Sequence, residues 1–223
     1  MNSQLSLPLE TRESFTRDGF VVGGANARAV ALLDSWPDWT IPAAALHGPT
    51  GSGKSHLAAI WRERSRAQLL TVRRLPEIPP VDGPIIIEDV DAALPSEHVE
   101  LSLMGLIDGA DRSRPILLTA KEAPGCWPCV LPDLASRFAA LPSIALYMPD
   151  DSLLMAIARK LFADRQLVVQ EAAIRRMLNL LDRSPASIGS FVAELDRKAL
   201  AESRPVTSAL VGELIASRSG NLS

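Results

Sequence analysis

The sequence predicts an α/β fold: a parallel five-stranded sheet flanked by helices, followed by a small all-helical domain. Two observations carry that expectation. From residue 43 onward, short apolar runs alternate with helical segments, the pattern of parallel strands joined by helical crossovers. After about residue 150 the strand-like runs stop, and four segments with apolar residues at three- and four-residue spacing take their place. A chain of 223 residues can hold a base domain and a smaller second one. The expected division is a flexible tail over 1–14, a base domain over 15–150 and a helical domain over 151–223.

The elements follow in order. Ala43–His47 is a short apolar run and forms the first strand. Residues 55–66 make a helix with Leu57, Ala58 and Trp61 on one face. Residues 68–72 form the second strand, and the prolines at 76, 79, 80 and 84 place a loop after it. Residues 84–87 form a third strand whose unbroken apolar run suits burial on both faces. A helix over 95–110 leads to a fourth strand over 115–119, and 143–148 forms the fifth. The helical domain is expected over 151–165, 170–182, 187–202 and 207–218. Leu153, Ile157 and Leu161 make one apolar stripe there, and Ile174, Met177, Leu178 and Leu181 make another. Asp150 and Asp151 stand where an N-cap and a first-turn acid belong. The paired tryptophans Trp36 and Trp39 are expected to close the first helix and pack on the base domain.

Composition narrows the function. With 23 basic and 26 acidic residues the formal charge is −3, which argues against a wholesale electrostatic grip on DNA or anionic lipid. No apolar run approaches the ~18 residues of a membrane helix. The first residues also lack the basic start and apolar core of a secretory signal. A cytoplasmic protein with no membrane contact is the expectation. Cys126 and Cys129 form a C-W-P-C tetrad, but Pro128 and Pro132 leave no clean helix start at Cys126 to lower a thiol pKa. Zinc would need two further ligands, and His47, His56 and His98 show no paired spacing. Inert, reduced thiols in a loop are expected.

One motif dominates. Gly48, Pro49, Thr50, Gly51, Ser52, Gly53, Lys54 and Ser55 match G-x-x-x-x-G-K-[ST] in full, between a strand and a helix. Glycines let backbone amides face phosphate oxygens, Lys54 neutralises phosphate charge, and the Ser55 hydroxyl can ligate Mg²⁺. His56, the next residue, joins this set. About 30 residues on, an apolar strand ends in Glu88 and Asp89, carboxylates suited to holding Mg²⁺ directly or through water. The expected cofactors are ADP or ATP with Mg²⁺, the metal held by Ser55, Glu88 and Asp89.

With these residues in place, the chain resembles AAA+ ATPases of the DnaA group over nearly its whole length. The fold implied is an AAA+ P-loop base domain with a small all-helical lid domain. The segment from Phe20 to Asn26, with Val21 and Val22, resembles the one this group places across adenine. Leu134-Ala-Ser-Arg137-Phe138, followed by Ile144 and Met148-Pro149-Asp150, is similar to the stretch that carries its arginine finger. The resemblance therefore gives Arg137 a catalytic role in trans, on a neighbour's nucleotide. A DnaA initiator has a long N-terminal region and continues into a DNA-binding helix-turn-helix domain; this sequence shows neither.

In place of that region stands Gln4-Leu5-Ser6-Leu7-Pro8-Leu9, which resembles the sliding-clamp-binding peptide of DnaA-related regulators that inactivate the initiator. An extended, proline-stiffened segment offers Leu5, Leu7 and Leu9 to apolar pockets, with Gln4 hydrogen-bonding at one end. The implied partners are the DNA polymerase III sliding clamp and DnaA, with DNA reached indirectly through the clamp; a homo-oligomer stays open. Three positions depart from the initiators. Glu88 stands where they have Asp, Lys121 where they have an acid, and Gly189 where they have the lid arginine, Arg183 lying six residues earlier. Each change weakens γ-phosphate handling and leaves the phosphate loop whole. Weak or absent intrinsic ATPase, with stimulation of hydrolysis by DnaA, is the leading expectation. An AAA+ ATPase that remodels or loads a replication protein is the alternative, and a clamp-tethered adaptor with structural nucleotide is the third.

Overall fold

In the computed structural model, residues 16–77 and 82–220 are described. The chain opens with α1 (Ala27–Asp34), β1 (Ala43–His47), α2 (Lys54–Ser65) and β2 (Gln68–Thr71). It continues through β3 (Ile85–Glu88), α3 (Glu97–Asp108), β4 (Ile116–Ala120), α4 (Pro132–Ala140) and β5 (Ser143–Ala145). Four helices complete it: α5 (Asp151–Asp164), α6 (Glu171–Leu178), α7 (Pro185–Ala201) and α8 (Ser208–Gly220). The strands form one parallel sheet in the order β2-β3-β4-β1-β5.

Strand alternation divides the core between the two faces of the sheet. Ala43, Ala45, Ile85, Ile87, Ile116 and Leu118 face α3 and α4, packing on Val99, Leu103, Leu134 and Phe138. Leu46, Ile86 and Leu117 face the other way, onto Ala29, Val30 and Leu33 of α1 and Leu57 and Trp61 of α2. Trp39 stacks on buried Trp61 with ring centroids 4.8 Å apart, and its indole N–H donates to the Leu32 carbonyl at 2.7 Å. The tryptophans thus close α1 as the sequence suggests. Helices α5–α8 enclose a separate core of Leu154, Phe162, Met177, Phe191, Leu195 and Leu214. Asp150 caps α5 by accepting from the Leu153 N–H at 2.8 Å, and Ser184 caps α7 from the Ser187 N–H at 3.1 Å.

Several boundaries differ from the sequence expectation, each for a physical reason. A helix that the sequence reading did not mark, α4, begins at Pro132, at a first-turn position whose missing N–H has no intrahelical role. The fifth strand stops at Ala145, because β1 pairs with it only up to His47 before turning into the 48–55 loop. Beyond it, the Tyr147 N–H turns away to the Ala25 carbonyl at 3.1 Å. The helix expected over 170–182 ends at Leu178, and Leu180 beyond it is exposed.

Glu100 joins α3 to the loop before α4. Its fully buried carboxylate accepts from the N–H groups of Ser96 at 3.2 Å, Val130 at 2.9 Å and Leu131 at 2.8 Å. That grip fixes the segment after the cysteines. Burial and the nearby Glu100 charge push the Cys129 thiol up, which keeps it protonated. Glu100→Ala leaves these donors without their acceptor and should destabilise the fold by about 3 kcal/mol in urea unfolding. Glu100→Gln, which keeps one acceptor oxygen, should cost less.

Candidate functional site

The carboxyl ends of β1, β3 and β4 converge on one crevice, the place where open parallel sheets take ligands. β1 delivers Gly48, β3 delivers Glu88, and β4 delivers Thr119. The 48–55 loop wraps from β1 into the first turn of α2. Gly48 has φ +150°, and a Cβ there would lie 2.2 Å from the Leu146 carbonyl oxygen. Only glycine fits that approach. Gly51, at φ +86°, lies beneath the helical domain: a Cβ there would be 3.2 Å from Ser184 Cβ and 3.8 Å from Met148 Cε. The N-terminus of α7 therefore closes over the loop.

Lys54 is the first residue of α2 and is only 7% exposed. Its ammonium donates to the carbonyls of Gly48 at 2.6 Å and Pro49 at 3.0 Å. Burial lowers its pKa, opposed by the charges of Asp89, Asp91 and Glu88. A buried cation at a helix N-terminus is a setting that a phosphate stabilises. Burial also lowers the pKa of His47 and of His56, whose ring meets Phe20 edge-on at 4.9 Å.

The two candidate metal carboxylates differ in burial. Glu88 is half-buried, and among the described residues its buried Oε1 has no hydrogen-bond partner. Ser52 Oγ, buried in the loop, is likewise unsatisfied. Asp89 is exposed at φ +51°, and its N–H donates to Thr119 Oγ1 at 3.2 Å. Mg²⁺ is typically held by one or two carboxylates together with substrate phosphates. Glu88 with the exposed Ser55 hydroxyl is a donor set of that kind, and the orphaned oxygens fit a loaded site.

Phe20, Val21 and Val22 lie beside this crevice on a turn locked by Asn26. The buried Asn26 amide accepts from the Gly23 N–H at 2.9 Å and donates to the Val21 carbonyl at 3.1 Å. Val22, Tyr147 and Met148 are large exposed apolar side chains, an apolar complement to a base. Sequence reasoning gave no separate role to four contributors. Asp91, just past β3, accepts from the N–H groups of Lys121 at 2.9 Å and Glu122 at 3.2 Å and so sets the tip of β4. Asn26 stands in the sequence reading only within its segment, Tyr147 only within a strand, and Met148 at the end of that strand and in the stretch likened to the arginine-finger region.

The other predicted residues are divided between the rim of the crevice, the far end of the sheet and the segment outside the described residues. Lys121 is exposed, and Gly189 falls within α7 and supplies no cation. Arg183, six residues earlier in the chain, immediately precedes the Ser184 that touches the loop, and pairs with Asp151 at 2.5 Å. Arg137 sits in the last turn of α4 and pairs with Asp108 at the end of α3, toward the edge where the strands begin. The start of β4 is level with Ala43, five residues from Gly48, which is about 16 Å along the sheet. Arg137 therefore does not join this crevice. Gln4, Leu5, Leu7, Pro8 and Leu9 lie outside the described residues.

No protein-family profile matches the sequence, and no curated protein matches it by sequence. Solved structures do match the fold. Domain III of the Thermotoga maritima replication initiation protein DnaA superposes with a TM-score of 0.73 at 18% identity, over 92% of this chain and 97% of that one. AMPPCP-bound DnaA from Aquifex aeolicus gives 0.69 at 15% identity, over 83% and 66%. The Thermotoga maritima RuvB Holliday junction branch migration motor gives 0.65 at 15% identity, over 88% and 70%. The chain has the fold shared by the AAA+ domains of these proteins, and no helix among the described residues is long and apolar enough to cross a membrane.

Gly48→Ala tests the loop. The added Cβ drives the backbone off the Leu146 carbonyl, so the variant should lose measurable ADP binding by calorimetry. Strain of this sort should also cost about 2 kcal/mol of stability.

Proposed function

We propose that the chain is an adenine-nucleotide-binding regulator of replication initiation, similar to Hda, the DnaA-related regulator that inactivates the initiator. The observation that supports this reading is the separation of two groups of side chains across the sheet. A complete phosphate loop with a buried Lys54 lies at one end, and the guanidinium of Arg137 lies toward the other. A cation that cannot reach its own chain's phosphates is suited to a neighbour's.

At its own site the loop amides and Lys54 would hold the phosphates, Lys54 exchanging two carbonyl partners for phosphate oxygens. Val22, Tyr147 and Met148 would cover the base, selecting a purine by apolar contact. Mg²⁺, held by Ser55 and Glu88 beside the phosphates, would neutralise charge there. Lys121 cannot accept a proton or a hydrogen bond from an attacking water, and Gly189 offers no charge to a γ-phosphate. Retained binding with slow turnover follows. In trans, Arg137 would stabilise the charge that develops on the γ-phosphate of ATP bound to DnaA, an effect worth roughly 10³–10⁵ in rate in other nucleotide hydrolases. The 4–9 segment would tether the chain to the sliding clamp on DNA, bringing it near its target.

A second reading has its own support. The unsatisfied Oε1 of Glu88 could orient water, and Arg183 stands one residue from the lid's contact with the loop. Both favour hydrolysis at the chain's own site by a remodelling or loading ATPase. The two readings separate in single-turnover hydrolysis of ATP pre-bound to DnaA on clamp-loaded DNA. The parent chain should accelerate it, and Arg137→Ala should remove most of that acceleration. Full stimulation by Arg137→Ala would discard the trans finger. For the tether, a peptide of residues 1–12 should bind the clamp alone, and Leu5→Ala with Leu7→Ala should abolish clamp binding by the whole chain.

A further inference from the structure

Asp108 is out of place by local rules. It is the last residue of α3, where the helix dipole disfavours a negative charge. Its partner explains it. The Asp108 carboxylate accepts from Arg137 Nε at 2.5 Å and from Nη2 at 2.8 Å, while Nη1 donates to the Asp133 carbonyl at 3.1 Å. The ends of α3 and α4 thus converge on one guanidinium, and each helix end favours the cation.

Both side chains are well exposed, 36% for Arg137 and 48% for Asp108. Pairs this open to water add little to stability, so the fold gives no strong reason to keep a two-pronged pair here. What the pair does is remove freedom. An exposed arginine samples many rotamers, whereas this one is held at three nitrogens by two different helices. Among the described residues these bonds use three of its five N–H groups, leaving one on each terminal nitrogen. That remaining edge can grip a phosphate.

We propose that Asp108 is a positioning residue for Arg137, holding the guanidinium so that its Nη1–Nη2 edge is presented to a phosphate on a neighbouring protein. This deepens, and rests on, the reading that Arg137 acts in trans. A cation already oriented when the phosphate arrives needs no reorganisation during reaction. The Asp108 charge lies across the guanidinium from the phosphate, and water screens their repulsion.

Two measurements test it. In single-turnover hydrolysis of ATP on DnaA, titrated with this chain, Asp108→Ala should lower the saturating rate about 10-fold, well short of the loss of the guanidinium itself. The half-saturating concentration should stay within about 2-fold, since a displaced finger affects the transition state more than encounter. Asp108→Asn, keeping one acceptor, should fall between. A rate equal to or above the parent would overturn the proposal, and a higher one would mean that the carboxylate masks the finger. Arg137→Ala run in parallel separates the two ideas. If it stimulates fully, the trans reading fails; if it is inactive while Asp108→Ala equals the parent, positioning alone fails. The second measurement needs no partner. Nitrogen-15 relaxation of the Arg137 Nε–H should report a rigid side chain in the parent and a mobile one in Asp108→Ala. A mobile Nε–H in the parent overturns the proposal by itself.

Discussion

Lys54 enters the first turn of α2 with its ammonium buried against the carbonyls of Gly48 and Pro49, and much of the molecule is arranged around that contact. The loop can turn back on itself only because Gly48 packs against the Leu146 carbonyl with no room for a side chain. That packing fixes where β1 ends, and β1 lies between β4 and β5. β5 is short for the same reason, since its partner strand leaves the sheet after His47. The acids at the ends of β3 and beyond, Glu88, Asp89 and Asp91, are the counter-charges nearest this buried cation. A phosphate is the missing member of such a set in chemical terms: it satisfies amides, ammonium and orphaned hydroxyl together.

The sheet also separates two kinds of chemistry. Loops at the carboxyl ends of the strands gather Lys54, Glu88, Asp89 and Asp91, and the helix ends near the strand starts gather Asp108, Asp133 and Arg137. A rigid parallel sheet between them keeps those groups from meeting within one chain. The helical domain adds a third element, closing on the loop through Ser184 against Gly51 and on the turn after Val22 through Leu153 against Gly23. A nucleotide held in this crevice would touch both domains, a route by which it would stabilise their relative placement.

Much of this was legible in the sequence, where local rules act alone. The phosphate loop is a contiguous motif with its own strand–helix context, and alternating apolar runs marked all five strands to within a few residues. The Asp150 cap needed only its position before an apolar stripe. What escaped depends on residues far apart in the chain. α4 went unmarked: Pro128 and Pro132 deny a helix start at Cys126, yet proline is well tolerated at the first helical position, which Pro132 takes. Asp91 acts on the amides of Lys121 and Glu122, about 30 residues away, and Asp108 acts on Arg137 at a similar separation. No spacing rule brings such pairs together; only the parallel topology does. Arg183 shows the converse, since an offset of six residues along the chain does not measure its distance from the loop.

Binding of adenine nucleotide at this site, with slow turnover, is the property on which the proposed division of roles rests. The most direct measurement is a pair made on one purified sample of the full chain: calorimetric titration with ADP and ATP in Mg²⁺, and phosphate release from saturating ATP with no partner present. Both nucleotides should bind clearly, with release far slower than ~1 s⁻¹, the low end of ordinary enzyme turnover. Absence of binding would contradict the site itself, and release at ~1 s⁻¹ or faster would contradict the division between binding at one end of the sheet and action at the other.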